Sequence, residues 1–169
     1  LNMINLPVQT IKKKGSKHIE GTFFTYKSVS GACVVTDSIF RLENESGSPV
    51  LSPYVNIQGK LVRHSKFVWD QAFSVYDENM KPISISYKNK PVTYLKWGHG
   101  GRNVIAKIDN YTSAQVNTNL ALKGYLSTLA ECKGSSDELY NCNKAIRENL
   151  PDNVLATTYT YDPVVGLTS

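Results

Sequence analysis

Gly98-His99-Gly100-Gly101-Arg102 is the stretch of this chain whose residue types come nearest to chemistry. A glycine-rich turn with exposed amides can hold a phosphate or an oxyanion. Such loops lead into a helix or bring a matched serine nucleophile. Here a β-type run, Val104 to Ile108, follows instead, and the P-loop spacing is absent. The expectation is therefore a turn whose glycines supply positive φ between two strands. Trp69, Trp97, His99 and Arg102 are the residues left as possible ligand contacts, and Trp69, Tyr76, Tyr87, Tyr94 and Trp97 could line a platform for a sugar ring. Core packing is the competing role for such aromatics.

Other chemistries find less. Asp70, Asp77, Asp109, Asp152 and Asp162 sit mostly at turns, and a glycosidase needs two carboxylates facing each other across a cleft. His18, His64 and His99 stand far apart, without the short spacing of zinc ligands. Cys33, Cys132 and Cys142 make an odd count: a Cys132–Cys142 bridge could close a helical hairpin, or all three could be small buried hydrophobes. The reading is of no catalytic residue, no cofactor and no metal.

The elements that must position these residues follow from composition and pattern. The chain has 169 residues, 41% of them hydrophobic, with ten Tyr, five Phe and two Trp. That supports one domain with a real core and excludes a disordered tail, a collagen-like fibre or a disulfide scaffold. No run approaches the roughly 18 apolar residues of a membrane-spanning helix, and residues 1–20 lack the apolar stretch of a signal peptide. The net charge of +5 is uneven: residues 1–27 and 60–107 are basic, 28–59 and 108–169 acidic. A basic face could meet nucleic acid or another polyanion, but no nucleic-acid motif accompanies it. Lys12, Lys13 and Lys14 beside Gly15, and Lys88 and Lys90 beside Asn89, are better read as lysines guarding β-edges.

The first two-thirds reads as β-structure. Val8 to Ile11, Ile19 to Tyr26 and Cys33 to Leu42 are strand-like runs, and residues 43–53 read as a loop. Phe67 to Val75 suggests a strand with a bulge, and Ile83, Ile85 and Tyr87 alternate with serines. Val92 to Trp97 and Val104 to Ile108 complete an antiparallel meander. At residue 112 the period changes. Thr112 with Gln115 and Ser135 with Glu138 make two capping boxes. Val116, Leu120, Leu122, Leu126 and Leu129 form the stripe of a first helix, and Leu139, Cys142, Ala145 and Ile146 that of a second. The fold class expected is α+β, mainly β: an antiparallel sheet over 1–110, a helical hairpin over 112–150 and a returning strand in 154–169.

Two strand ends share a Tyr-Asp pair, in Phe73-Ser74-Val75-Tyr76-Asp77 and Tyr159-Thr160-Tyr161-Asp162, where the Asp would cap turn amides. The residues around them extend the likeness. Asn2-Met3-Ile4-Asn5-Leu6-Pro7, Tyr94-Leu95-Lys96-Trp97-Gly98, Val104 to Asn110 and Thr157 to Ser169 are similar to phrases of the YD-repeat (RHS-repeat) proteins of Gram-negative gut bacteria, just before their repeat array. Lys96 interrupts that family's Leu-Trp-Gly, and His99-Gly100 stand where it has Tyr-Asn. The resemblance implies a fragment of a large secreted or surface-anchored protein, outside the cell or in the periplasm, whose hairpins wind into a shell. It implies no catalytic residues, and neighbouring repeats of the same parent chain as partners. The competing expectation is a binding module for glycan or host protein, using Trp69, Trp97 or the basic face of residues 60–107, without nucleic acid and without membrane insertion.

Overall fold

Sequence runs rich in β-branched and aromatic residues become strands joined by tight turns in the computed structural model, which describes residues 6–29, 33–43, 62–131, 135–162 and 166–167. The described residues form a mainly antiparallel β-fold with three helices near the C-terminus, the class expected. The chain divides into two compact units, Leu1–Ala72 and Phe73–Ser169.

The first unit is a meander of β1 (Gln9–Lys14), β2 (Lys17–Val29), β3 (Cys33–Leu42) and the opening residues of β4 (Phe67–Tyr76), on which the division falls. Gly15, at φ +61°, sits in the two-residue turn between β1 and β2. The core is small: Phe23 and Phe67, with Val8, Ile11, Phe40 and Leu42 packed against them. Phe67 is completely buried, and its ring lies over Gly21, where a Cβ would come within 3.1 Å of it. Arg63 closes this cluster, its guanidinium 4.3 Å from the centre of the Phe40 ring and hydrogen-bonded to the Phe67 carbonyl. The expected bulge in β4 is present. Ile39 faces Gln71 and Phe40 faces Trp69, leaving Asp70 as the extra residue, which pairs with Arg41 at 2.6 Å.

The second unit continues the antiparallel pattern from β4 through β5 (Pro82–Tyr87), β6 (Lys90–Gly98), β7 (Asn103–Asp109) and β8 (Leu155–Thr158). Asp77 makes the β4–β5 turn as expected of the first Tyr-Asp pair. Its Oδ1 accepts from the amides of Asn79 at 2.9 Å and Lys81 at 2.8 Å. A short hairpin of β9 (Tyr161–Asp162) and β10 (Gly166–Leu167) follows β8.

The helical region differs from the expected pair. Among the described residues there are three helices, α1 (Ser113–Thr118), α2 (Leu120–Glu131) and α3 (Ser136–Glu148). Both capping boxes form. Between α1 and α2 Asn119 leaves helical geometry: its N–H still closes α1 on the Gln115 carbonyl, while its Oδ1 accepts from the Leu122 amide and starts α2. This break re-phases the stripe. Leu122, Leu126 and Leu129 are buried at helical spacing, but Leu120, expected among them, is 76% exposed. α2 lays the buried leucines on Tyr94, Ile105, Ala106 and Ile108 of β6 and β7, and Ile146 of α3 joins the same core. Cys132, on which the alternative of a Cys132–Cys142 bridge depends, residues 44–53 of the expected loop and the first four residues of the Asn2–Pro7 phrase lie outside the described residues.

Candidate functional site

The Gly98–Arg102 turn is built by two strands and fastened by a helix end. β6 and β7 pair Trp97 with Val104 and Gly98 with Asn103, with a bulge that leaves Ile105 as the extra residue. His99, Gly100 and Gly101 all take positive φ, at 53°, 66° and 78°. The amides of Gly101 and Arg102 both donate to the Gly98 carbonyl, at 3.0 and 3.1 Å, and the His99 amide donates to Ala130 O at 3.3 Å. The last carbonyls of a helix have no partner within it, so His99 satisfies one of those of α2. Gly98 permits the approach: a Cβ there would lie 2.7 Å from Ile105 Cγ2 and 3.0 Å from Ala130 O. These three amides are directed into the fold, and an anion would have to displace those bonds to use them.

The candidate contacts separate into two places. Trp97 and His99 both stand at this turn, with different partners. The Trp97 indole N–H donates to Pro82 O at 2.8 Å, and Lys81 Nζ stands 5.6 Å over its ring. The His99 ring meets Tyr161 edge-on. Both side chains are half-buried, whereas Arg102 is exposed. Trp69 belongs to the first unit, half-buried directly across from Phe40 and hence on the face of the small aromatic core. Two of the four residues are thus tied down around one turn, one reaches solvent beside it, and Trp69 stands apart from them in the first unit.

A polar cluster in the second unit escapes a reading by motif. Thr93 and Asp109 are cross-strand partners on β6 and β7, and Thr93 Oγ1 donates to Asp109 Oδ1 at 2.6 Å. Lys107 Nζ donates to Asp109 Oδ2 at 2.7 Å. Burial pushes the Asp109 carboxyl up, but the hydrogen bonds from Lys107 and Thr93, with the charges of Lys107 and Lys90, outweigh it and hold its pKa below the ordinary value. The bond to Asp109 raises the pKa of Lys107 against the opposing effect of its own desolvation. Tyr94, buried against the helices, is pushed up to about 12 by desolvation. The Lys107-Ile108-Asp109 alternation was the available signal, since residues two apart on a strand share a face. A lowered carboxyl and a raised ammonium hold one another charged, which suits a structural ion pair and not an acid–base couple.

Among the described residues no group of His, Cys, Asp and Glu could hold a metal ion. Among them, too, no helix is long and apolar enough to cross a membrane, which says nothing of a β-barrel. Compared with known protein families, curated proteins and solved structures, the chain matches none.

Proposed function

We propose that this chain is a non-enzymatic structural segment of a larger secreted or cell-surface protein of the YD-repeat (RHS-repeat) kind, building part of a β-sheet shell. The observation that carries the reading is strand order. Within each unit consecutive strands up to β8 pair side by side in chain order, and β8 leads into a separate hairpin, β9 with β10, that opens on Tyr161-Asp162. A sheet extended hairpin by hairpin grows in this way without crossover connections. The fate of the glycine-rich turn adds support, because its conformation and its amides are used to dock β6 and β7 on α2. Its partners on this reading are the neighbouring hairpins of its own parent chain, and its place is outside the cell.

The test is to read the coding DNA beyond Ser169 and to solve the structure of the extended product. Tandem hairpins ending in Tyr-Asp, paired onto the segment after β8, are expected. A stop codon directly after Ser169, or a following domain that leaves β8 uncovered, overturns the proposal.

A further inference from the structure

One face of the first unit carries a polar concavity that packing does not use. Successive residues of a strand point to opposite faces, and cross-strand partners share one. Ile11 and Gly21 are partners on the side where Phe23 and Phe67 pack. The pairs flanking them, Thr10 with Thr22 and Lys12 with Glu20, therefore project from the other side. There Thr10, Lys12, Glu20 and Thr22, with Ile11 and Gly21 between them forming its floor, line a shallow cavity of about 250 Å³. Lys12 Nζ stands 3.8 Å from Glu20 Oε2, beyond hydrogen-bond length, so both ions keep bonding capacity for a third group.

Cations continue along the same face on both sides of the cavity. Toward the turn, Lys14 and Lys17 are direct cross-strand partners, a like-charge pairing that opposes folding and that an anion would relieve. On β3 the partner of Thr22 is Arg41, which is exposed and engaged by Asp70. Four cations thus stand against two carboxylates, around two hydroxyls.

We propose that this face binds an acidic polysaccharide, one sugar ring seated between Thr10 and Thr22 and the anionic groups of the polymer meeting Lys12, Lys14 and Lys17. The cavity is smaller than the roughly 300–1,000 Å³ of pockets for drug-sized ligands, which suits a single ring. Two hydroxyls, an ammonium and a carboxylate offer the donors and acceptors that a ring of hydroxyl groups needs. Lys12 and Lys14, two residues apart on an extended strand, are separated by ~7 Å, a spacing for a polymer bearing repeated charge. No aromatic residue lines the cavity to stack a nucleic-acid base. This inference goes beyond the scaffold reading and does not depend on it.

Titration calorimetry of the full chain tests it, with polygalacturonate and chondroitin sulfate as ligands, and neutral dextran, duplex DNA and phosphatidylglycerol vesicles as comparators. Saturable binding to at least one of the two acidic polysaccharides is expected, with neither dextran, DNA nor vesicles matching it. Lys14→Glu with Lys17→Glu is expected to weaken binding by about tenfold or more, a loss of about 1.4 kcal/mol. Thr22→Val, which keeps the charge and the β-branched shape, is expected to weaken it several-fold, and Thr10→Val on the outer strand repeats that test if Thr22→Val disturbs the circular dichroism spectrum. Binding to neither polysaccharide overturns the proposal, as does equal binding to DNA or vesicles. So does a response to charge reversal alone with both Val variants unchanged, which is simple ion exchange.

Discussion

The imidazole of His99 meets the phenol ring of Tyr161 edge-on, with centroids 5.7 Å apart and planes at 81°. This contact ties the β6–β7 turn to the segment that leaves β8, and the Tyr161 hydroxyl adds a bond to Val104 O at 3.1 Å. A histidine that reads as a possible ligand contact is thus the point where the chain leaving β8 is held onto the turn.

Tyr161→Phe removes only the hydroxyl bond and is expected to cost about 0.5–1.5 kcal/mol. Tyr161→Ala also removes the edge-to-face contact, worth a further ~0.5–1.5 kcal/mol, besides the buried ring area. Urea denaturation of the three proteins checks the order, wild type above Tyr161→Phe above Tyr161→Ala. Equal midpoints for Phe and Ala would show that the ring contact contributes nothing.

Gly98 and Gly124 should respond oppositely to alanine. At Gly98 the new Cβ would collide with Ile105 and with the backbone of Ala130, which cannot swing aside, so a loss of about 1–3 kcal/mol is expected. Gly124 lies inside α2 with nothing near its missing Cβ, and Gly124→Ala is expected to stabilise by up to about 1 kcal/mol. Thermal melts of the two variants decide the matter, and a stabilising Gly98→Ala would mean that β6 does not approach α2 this closely.

The meander was legible because its signals are local: serines alternating with Ile83, Ile85 and Tyr87, and turn residues at Gly15, Asp77 and Asn89. The break at Asn119 was not, because Leu120 fits a helical stripe nearly as well as its neighbours. What decides is where the Asn119 side chain bonds, and that depends on the distant Asn149. The turn after Gly98 takes the positive φ that its glycines imply, yet its attachment to Ala130 comes from packing between elements and leaves no mark on local spacing. The Thr10–Thr22 pairing was hidden for a related reason. It exists only through the register that the Gly15 turn and the bulge after Lys12 set between β1 and β2.

Asn119 offers a sharper test of the helical break. Its Oδ1 caps α2 at Leu122, and its Nδ2 donates to Asn149 O at the end of α3. Asn119→Ala loses both and should cost about 1–2 kcal/mol, within the range of helix caps. Asn119→Asp keeps the acceptor and loses the donor, so its stability should fall between the two. If Asn119→Asp is no better than Asn119→Ala, the cap on Leu122 is not what stabilises the start of α2.

The Thr93–Asp109–Lys107 cluster predicts how stability depends on pH. The Asp109 carboxyl has a folded pKa below its ordinary 3.8, so its contribution is present above that pH and is lost as pH falls through the folded value. Lys107 has a folded pKa above its ordinary 10.5, so its contribution is present below that pH and is lost as pH rises through the folded value. One substitution should act at both extremes. Asp109→Asn keeps an acceptor for the Thr93 hydroxyl but removes the charge, so the fall in stability should become shallower below pH 3.8 and also above pH 10.5. Asp109→Ala additionally strands that hydroxyl, on a residue only 1% exposed, and should cost about 1–3 kcal/mol at neutral pH. Chemical denaturation across the pH range reads all three effects. An Asp109→Asn protein whose acid and alkaline limbs both match the wild type would show that the ion pair is absent in solution.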